Sequence, residues 1–382
     1  MKISSQSLAL LAPSLLAFLL AGTAEAADPS PATQTPKHAK SAGSPDNVGE
    51  FADFNDWQAV NAFIDTMVAQ HGFARKDLEA IFKNAHYVGA AVQLVKPAPS
   101  GQPKNWQAYR ARFVEPVRIA AGVAFWNAHA DALAREEKEF GVPAEIVVGI
   151  IGIESMFGRN TGNFRVLDVL ATLAFAYPET PTRAARMEYF RSELENALLF
   201  ARESDIDPFS LRGSYAGAIG YPQFMPASIR KYAVDYDGNG KIDLRNSADD
   251  AIGSIGNFLV QHGWRRGEPT VFEATVSTPV DNTQANNWPS LIGQGLEARF
   301  KPEVLKAAGV TTRVEPPADM LFGLVDLQNG TEPTEYWLGA PNFFAITQYN
   351  RSYFYAMSVI ELSKAVRSAR NSDDGRAEPM QK

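Results

Sequence analysis

Apolar residues recur at helical spacing from Phe51, where we place the start of ordered chain. Trp57, Val60, Phe63, Ile64 and Met67 share one face, and Leu78, Ile81 and Phe82 form another after the break at His71-Gly72. The same period runs from Phe113 to Phe140. Gly141-Val142-Pro143 then closes one helix and opens the next, because proline is tolerated in a first turn, where its missing N–H would lack a partner anyway. Further helices are predicted at Val169 to Ala176, Arg183 to Ala201, Pro226 to Ala233 and Asp249 to Gly263. Beyond Trp264 the pattern alternates, in Phe272 to Val276 and again in Leu321 to Leu327, with Asn329-Gly330 as a turn. Helix returns at Tyr353 to Ala369. The pattern predicts an α+β chain, predominantly α, with an N-terminal helical region (51–140), a central core (141–265 and 340–370) and a small β-rich subdomain (266–339).

The two ends carry no such period. Lys2, the apolar stretch Leu8 to Leu20 and Ala24-Glu25-Ala26 read as a signal peptide over 1–26, so the expected location is the periplasm. The stretch is shorter than the ~20 apolar residues that span a bilayer and is broken by Pro13, so the mature chain is not expected to span a membrane. Leu19-Leu20-Ala21-Gly22 is followed by Thr23, where a lipoprotein signal would need cysteine, so no lipidation is expected. Residues 27–50, rich in Pro, Ser, Thr, Ala and Gly, read as a disordered linker, and 371–382 as a flexible tail.

Composition narrows the chemistry. There is no cysteine, which excludes disulfides, thiolate metal sites and thiol catalysis, and the five histidines lack ligand spacing. A formal charge of −7 gives no field for nucleic acid. No organic cofactor is expected, and the chain is expected to be a monomer.

One residue breaks the apolar pattern. On the helix opened by Pro143, Val147, Ile150 and Ile151 lie seven, four and three residues before Glu154, so the carboxylate extends their stripe. Burial and the negative end of the helix macrodipole both raise its pKa, the direction that suits a general acid near neutral pH. Gly158 and Gly162 permit tight turns that would leave room for a ligand against Met156 and Phe157. Position alone is also compatible with a solvated charge, or with a partner such as Arg159. Asp168, the next carboxylate in sequence, reads as a helix N-cap.

Three other blocks carry polar or aromatic groups of the kind that line sugar sites. GSYAGAIGYPQFMPAS (213–228) offers small residues with Ser214 and Gln223, and NFFAITQYNRSYFYAMSV (342–359) offers Tyr349, Asn350 and Tyr355. WQAYRARF contains Tyr109. A packed loop and half-buried core tyrosines explain these blocks equally well. DYDGNGKID (235–243), within an EF-hand-like stretch over 235–250, matches the first nine positions of an EF-hand loop. Asp235, Asp237 and Asn239 are donors, Gly240 makes the turn and Lys241 offers its carbonyl, a set suited to structural Ca²⁺. The twelfth position is Asn246 instead of a bidentate glutamate, and a turn without metal is the alternative.

VPAEIVVGIIGIESMFGRNTGNFRVLDVLATLAF (142–175), with the separated blocks above, resembles the lytic murein transglycosylases of the B type, similar in fold to goose-type lysozyme. The resemblance covers about Phe51 to Ala369 and implies a lysozyme-like catalytic core. It implies cleavage of the β-1,4 bond between N-acetylmuramic acid and N-acetylglucosamine in peptidoglycan glycan strands, leaving 1,6-anhydromuramic ends, with Glu154 as the lone acid and base. It implies saccharide contacts at Tyr109, Arg186, Ser214, Gln223, Tyr349, Asn350 and Tyr355, and completion of the cation site by Asp250, with Asp249 in reserve. Cell-wall synthesis or remodelling proteins are candidate partners. Ala185 and Phe258 depart from the paired arginine and the tyrosine that the family commonly carries. A hydrolytic muramidase and a non-catalytic wall-binding scaffold are the alternatives.

Overall fold

A computed structural model describes residues 54, 57–97, 103–277 and 287–374. The regions read as signal peptide and linker, and the tail from 375, lie outside the described residues. Six helices come first: α1 (Gln58–His71), α2 (Arg75–Asn84), α3 (Gly89–Leu94), α4 (Trp106–Arg110), α5 (Pro116–Ala128) and α6 (Ala130–Phe140). Helix α1 stops where expected, because Gly72 adopts φ +66° and its N–H returns to the last turn.

Helix α7 (Ala144–Ser155) is buried on every side except at Glu145, so it is an interior helix rather than an amphipathic one. Pro143 is its N-cap, one position before the first turn. Two glycines admit its neighbour α14 (Tyr353–Asp374). A Cβ on Gly149 would lie 2.2 Å from Ser363 Oγ, and one on Gly152 would lie 2.7 Å from Phe157 and 2.9 Å from Leu362. Helix α8 (Val166–Phe175), also fully buried, packs along α9 (Arg183–Glu203), and α10 (Pro226–Tyr232) and α11 (Ala248–Gln261) complete this half.

Asp168 is not the N-cap of α8. That position is Arg165, and Asp168 sits in the first turn, where it takes two hydrogen bonds from the Arg165 guanidinium and one from the His86 backbone N–H. A buried carboxylate so engaged serves the fold.

The alternating segments form one antiparallel sheet of four strands in the order β4-β3-β6-β5, from β3 (Val271–Val276), β4 (Val310–Thr312), β5 (Gly323–Asn329) and β6 (Glu332–Gly339). Gly330, at φ +66°, turns the β5–β6 hairpin as Asn329-Gly330 suggested. The sheet covers a small core of its own around Leu305, Phe322, Leu324 and Leu338, beside short α12 (Pro302–Ala307). A two-stranded pairing of β1 (Phe164–Arg165) with β2 (Arg212–Gly213) was not anticipated, since two residues carry no period. The chain then returns to the helical half through α13 (Pro341–Thr347) and α14. Helix α14 runs to Asp374, so residues 371–374 of the expected flexible tail are helical. No helix among the described residues is long and apolar enough to cross a membrane.

Candidate active site

Glu154 lies one residue before the end of α7 and is only 4% exposed. The helix ends in an unusual turn: Met156 and Phe157 both have positive φ, at 51° and 58°, which costs non-glycine residues about 1–3 kcal/mol each and persists only where surrounding contacts impose it. Those contacts are visible. The Gly158 N–H donates to Ser155 Oγ, the Asn160 N–H donates to the Ser155 carbonyl, and the Arg118 Nε–H donates to Met156 Sδ. A Cβ at Gly158 would strike the Tyr221 ring, and one at Gly162 the Gly213 backbone, so the two glycines let those groups pack against the turn.

The tyrosines converge on the carboxyl group. Tyr355, fully buried near the start of α14, donates its hydroxyl to Glu154 Oε1 at 2.6 Å. Tyr349 stacks on Tyr355 with ring centroids 6.3 Å apart and donates to the Pro222 carbonyl at 2.6 Å, which ties the 342–359 block to the 213–228 block. Burial raises the hydroxyl pKa of all three tyrosines, that of Tyr109 to about 12, and the Glu154 charge raises each further, so Tyr109 faces the same centre. For Glu154 itself, desolvation outweighs the Tyr355 hydrogen bond and the carboxyl pKa rises to about 8. The group is therefore a neutral acid at pH 7. With Tyr355 donating to Oε1, the acidic proton belongs on Oε2.

Gln223 holds φ 49°, and its amide N–H₂ donates to the Thr161 and Gly220 carbonyls, which leaves its oxygen as the group available to a ligand. Ser214 Oγ accepts from the Ala216 and Ala218 N–H groups and keeps its own proton to donate, and the close approach of Gly162 seats it beside the turn that follows Glu154. Asn350 Oδ1 is buried with no hydrogen-bond partner. An orphaned acceptor next to Tyr349 is costly unless a ligand donor meets it.

Arg186 lies on α9 with its charge beside Tyr177 and Tyr189, and makes no hydrogen bond or ion pair with the other candidates among the described residues. Phe258 is buried in an aromatic cluster with Phe224, Tyr232, His262 and Tyr349, so it supports Tyr349 from behind. Two further buried charged residues stand out in the structure. Arg118, 7% exposed, has Nη1 unpartnered, and its only sequence signal is the N-cap pair Glu115-Pro116 that fixes its helix turn. Glu193, raised by burial to about 7, accepts from the Ala227 N–H at the start of α10.

The cation loop assembles as a cluster in which ligand atoms of Asp235, Asp237 and Asp250 lie within 4.8 Å of one another. Asn246 turns away to hydrogen-bond Asp243 and Asp249 points to His129 at 3.8 Å, so of these three it is Asp250 that lies with Asp235 and Asp237. Asn239 Oδ1 accepts from the Lys241 N–H, which folds the loop at Gly240.

Residues 55–364 match the transglycosylase SLT domain family. Over 327 residues, 83% of this chain and 85% of its relative, the sequence is 42% identical to the membrane-bound lytic murein transglycosylase B of Escherichia coli K12. The chain belongs to the lytic murein transglycosylase family. It is therefore an enzyme of that class. The structure of the catenated lytic transglycosylase SltB1 from Pseudomonas aeruginosa superposes with a TM-score of 0.74 at 42% identity, covering 83% of this chain and 100% of that one. The Escherichia coli lytic transglycosylase Slt35 in complex with calcium gives 0.72 at 39% identity, covering 86% and 100%.

A transglycosylase that relies on the Tyr355–Glu154 bond should respond to its loss in a defined way. Tyr355→Phe removes one hydrogen bond to the carboxyl group and is expected to lower kcat about 10-fold. Because that bond favours the ionised carboxyl, the alkaline limb of the pH profile should move upward, which steady-state rates from pH 6 to 10 would reveal.

Proposed function

We propose that the protein cleaves the β-1,4 bond between N-acetylmuramic acid and N-acetylglucosamine in peptidoglycan without consuming water. Glu154 gives the Oε2 proton to the glycosidic oxygen and then takes the proton of the muramyl C6 hydroxyl as that oxygen attacks the anomeric carbon, closing a 1,6-anhydro ring. Atoms and protons balance with one carboxyl group, because the nucleophile belongs to the substrate. The observation that carries this reading is a buried carboxyl, neutral at pH 7, fixed on one oxygen by Tyr355. Asp168, the neighbouring carboxylate in sequence, is held by Arg165. The orphaned Asn350 Oδ1 suits the N–H of an acetamido group, and Gln223 Oε1 a sugar hydroxyl. Tyr109, Tyr349, Ser214 and Arg186 complete the proposed contact set.

Digestion of purified sacculi followed by mass spectrometry tests the reaction. Anhydro ends, one water lighter than hydrolysed ends, should dominate. Predominantly reducing ends would make the protein a hydrolytic muramidase.

The cluster of Asp235, Asp237 and Asp250 fits Ca²⁺, with the side chain of Asn239 and the Lys241 carbonyl as further oxygen donors and no role in the reaction. Calcium at about 100 times its Kd should stabilise the protein by about 2.7 kcal/mol. Calorimetry with calcium against chelator should show that gain; an unchanged melting temperature would reduce the loop to a turn. The signal-like segment over 1–26 supports action in the periplasm.

A further inference from the structure

The turn that follows Glu154 at the end of α7 is gripped from one side by α5. Arg118, Gly122 and Phe125 stand four and three residues apart and so share one face of that helix. Each of them meets the turn. The Arg118 Nε–H donates to Met156 Sδ at 3.3 Å, a Cβ on Gly122 would lie 3.0 Å from the Phe157 ring, and Phe125 packs on Phe157 with ring centroids 5.5 Å apart. Phe125 also reaches Tyr221, the ring packed against Gly158, at 6.1 Å. Met156 and Phe157 hold their positive φ against this face of α5.

Arg118 is the unusual member of the three. Its guanidinium carbon lies 5.2 Å from the centre of the Phe113 ring, and Phe113 packs at 5.2 Å on Tyr109, the tyrosine that senses the Glu154 charge. Arg118 therefore stands between the turn behind the catalytic carboxyl and an aromatic wall of the same site. It is 7% exposed, and its Nη1 has no hydrogen-bond partner. Glu115, whose charge acts on it, spends both carboxylate oxygens on the backbone N–H groups of Val117 and Arg118, at 2.8 and 2.7 Å, as the cap of α5. Among the described residues the guanidinium makes no hydrogen bond to a carboxylate. A buried cation so placed adds little to stability, since apolar replacements of similar volume are often neutral or stabilising. What Arg118 supplies is position.

We propose that Arg118 is a positioning residue that fixes the Met156–Phe157 turn against the Phe113–Tyr109 wall and so sets where the Glu154 carboxyl sits. This deepens the transglycosylase reading of Glu154 and rests on it. The hydrogen bond of Arg118 runs to Met156, two residues past the carboxyl, and no proton of the reaction passes through it. Loosening the turn admits water beside Glu154. Desolvation is the larger influence on that carboxyl, so hydration lowers its pKa and leaves less of the acid protonated at neutral pH.

The experiment compares full-length wild type, Arg118→Met, Met156→Leu and the double variant, with Arg118→Lys as the conservative change. Arg118→Met should keep or raise the melting temperature while lowering kcat on sacculi about 10- to 100-fold with KM within about twofold, the signature of a misplaced group. Arg118→Lys, which keeps a cationic donor, should retain more of the rate. Met156→Leu conserves volume but removes the sulfur acceptor, so it should lower kcat in the same sense, and the double variant should lose no more than Arg118→Met alone. The Glu154 midpoint, followed by carbon-13 NMR without substrate, should move down in Arg118→Met. A fall in melting temperature, an unchanged kcat, a rise in KM alone, additive losses in the double variant or an unmoved midpoint would each overturn the proposal. The midpoint does not depend on the products formed, so wild-type digests rich in reducing ends would overturn the transglycosylase reading while the midpoint still decides the role of Arg118.

Discussion

Glu154→Gln is expected to lower turnover by about 10²- to 10⁴-fold, the contribution of a positioned proton donor and acceptor, while leaving the fold in place. The substitution is mild for a physical reason. With its pKa near 8, Glu154 is already neutral at pH 7, and an amide keeps an oxygen to accept the Tyr355 hydroxyl while losing the transferable proton. Turnover on sacculi checks the rate, and circular dichroism checks the fold. Full activity in the variant would remove Glu154 from the mechanism.

The same variant has a stability signature. A carboxyl whose folded pKa lies above its unfolded value near 4.5 contributes stability that is fully present below that value and is lost as pH rises through 8. Glu193, raised to about 7, and Glu136, raised to about 9 with both oxygens buried and unpartnered, act in the same direction. The wild type should therefore lose stability steadily from about pH 5 to pH 9, and Glu154→Gln should flatten that slope without abolishing it. Melting temperatures across this range measure both.

The second large effect is structural. Asp250 is fully buried at the start of α11, where its carboxylate accepts the backbone N–H groups of Tyr236, Asp237 and Asp243 at 2.8, 3.2 and 2.8 Å. One side chain thus pins both arms of the cation loop to the helix that follows. Asp250→Ala leaves three backbone donors without this partner, the one on Tyr236 buried, and is expected to cost about 2–4 kcal/mol. Denaturant unfolding of the wild type and the variant in chelator isolates this contribution from that of a bound cation. A loss below about 1 kcal/mol would mean that the loop is held elsewhere.

The helices with a strong period were legible because each has either one apolar face or none that is polar. Trp57 to Met67 announced α1, and the run before Glu154 announced an interior helix. Pieces of two or three residues were not legible. Strands β1 and β2 exist because Phe164 pairs with Gly213, a contact across 49 positions that no local pattern encodes. Asp168 was misplaced for a related reason: its partners are Arg165 and a backbone N–H from residue 86, and the distant one decided its role. The site divides similarly. Glu154 stood out against its apolar stripe, whereas Arg118 shows its importance only where it meets Met156 across two helices. At Gly158 and Gly162 the sequence suggested tight turns, and both hold positive φ with Tyr221 and the 213–214 backbone packed against them.

Carbon-13 NMR of protein labelled at the glutamate side-chain carboxyls, with Glu154→Gln to assign the resonance, tests the central claim most directly. A carboxyl held neutral by its dry surroundings should titrate with a midpoint near 8. A midpoint in the ordinary range of about 4 to 5 would make Glu154 an ionised group at neutral pH and deprive the site of its acid.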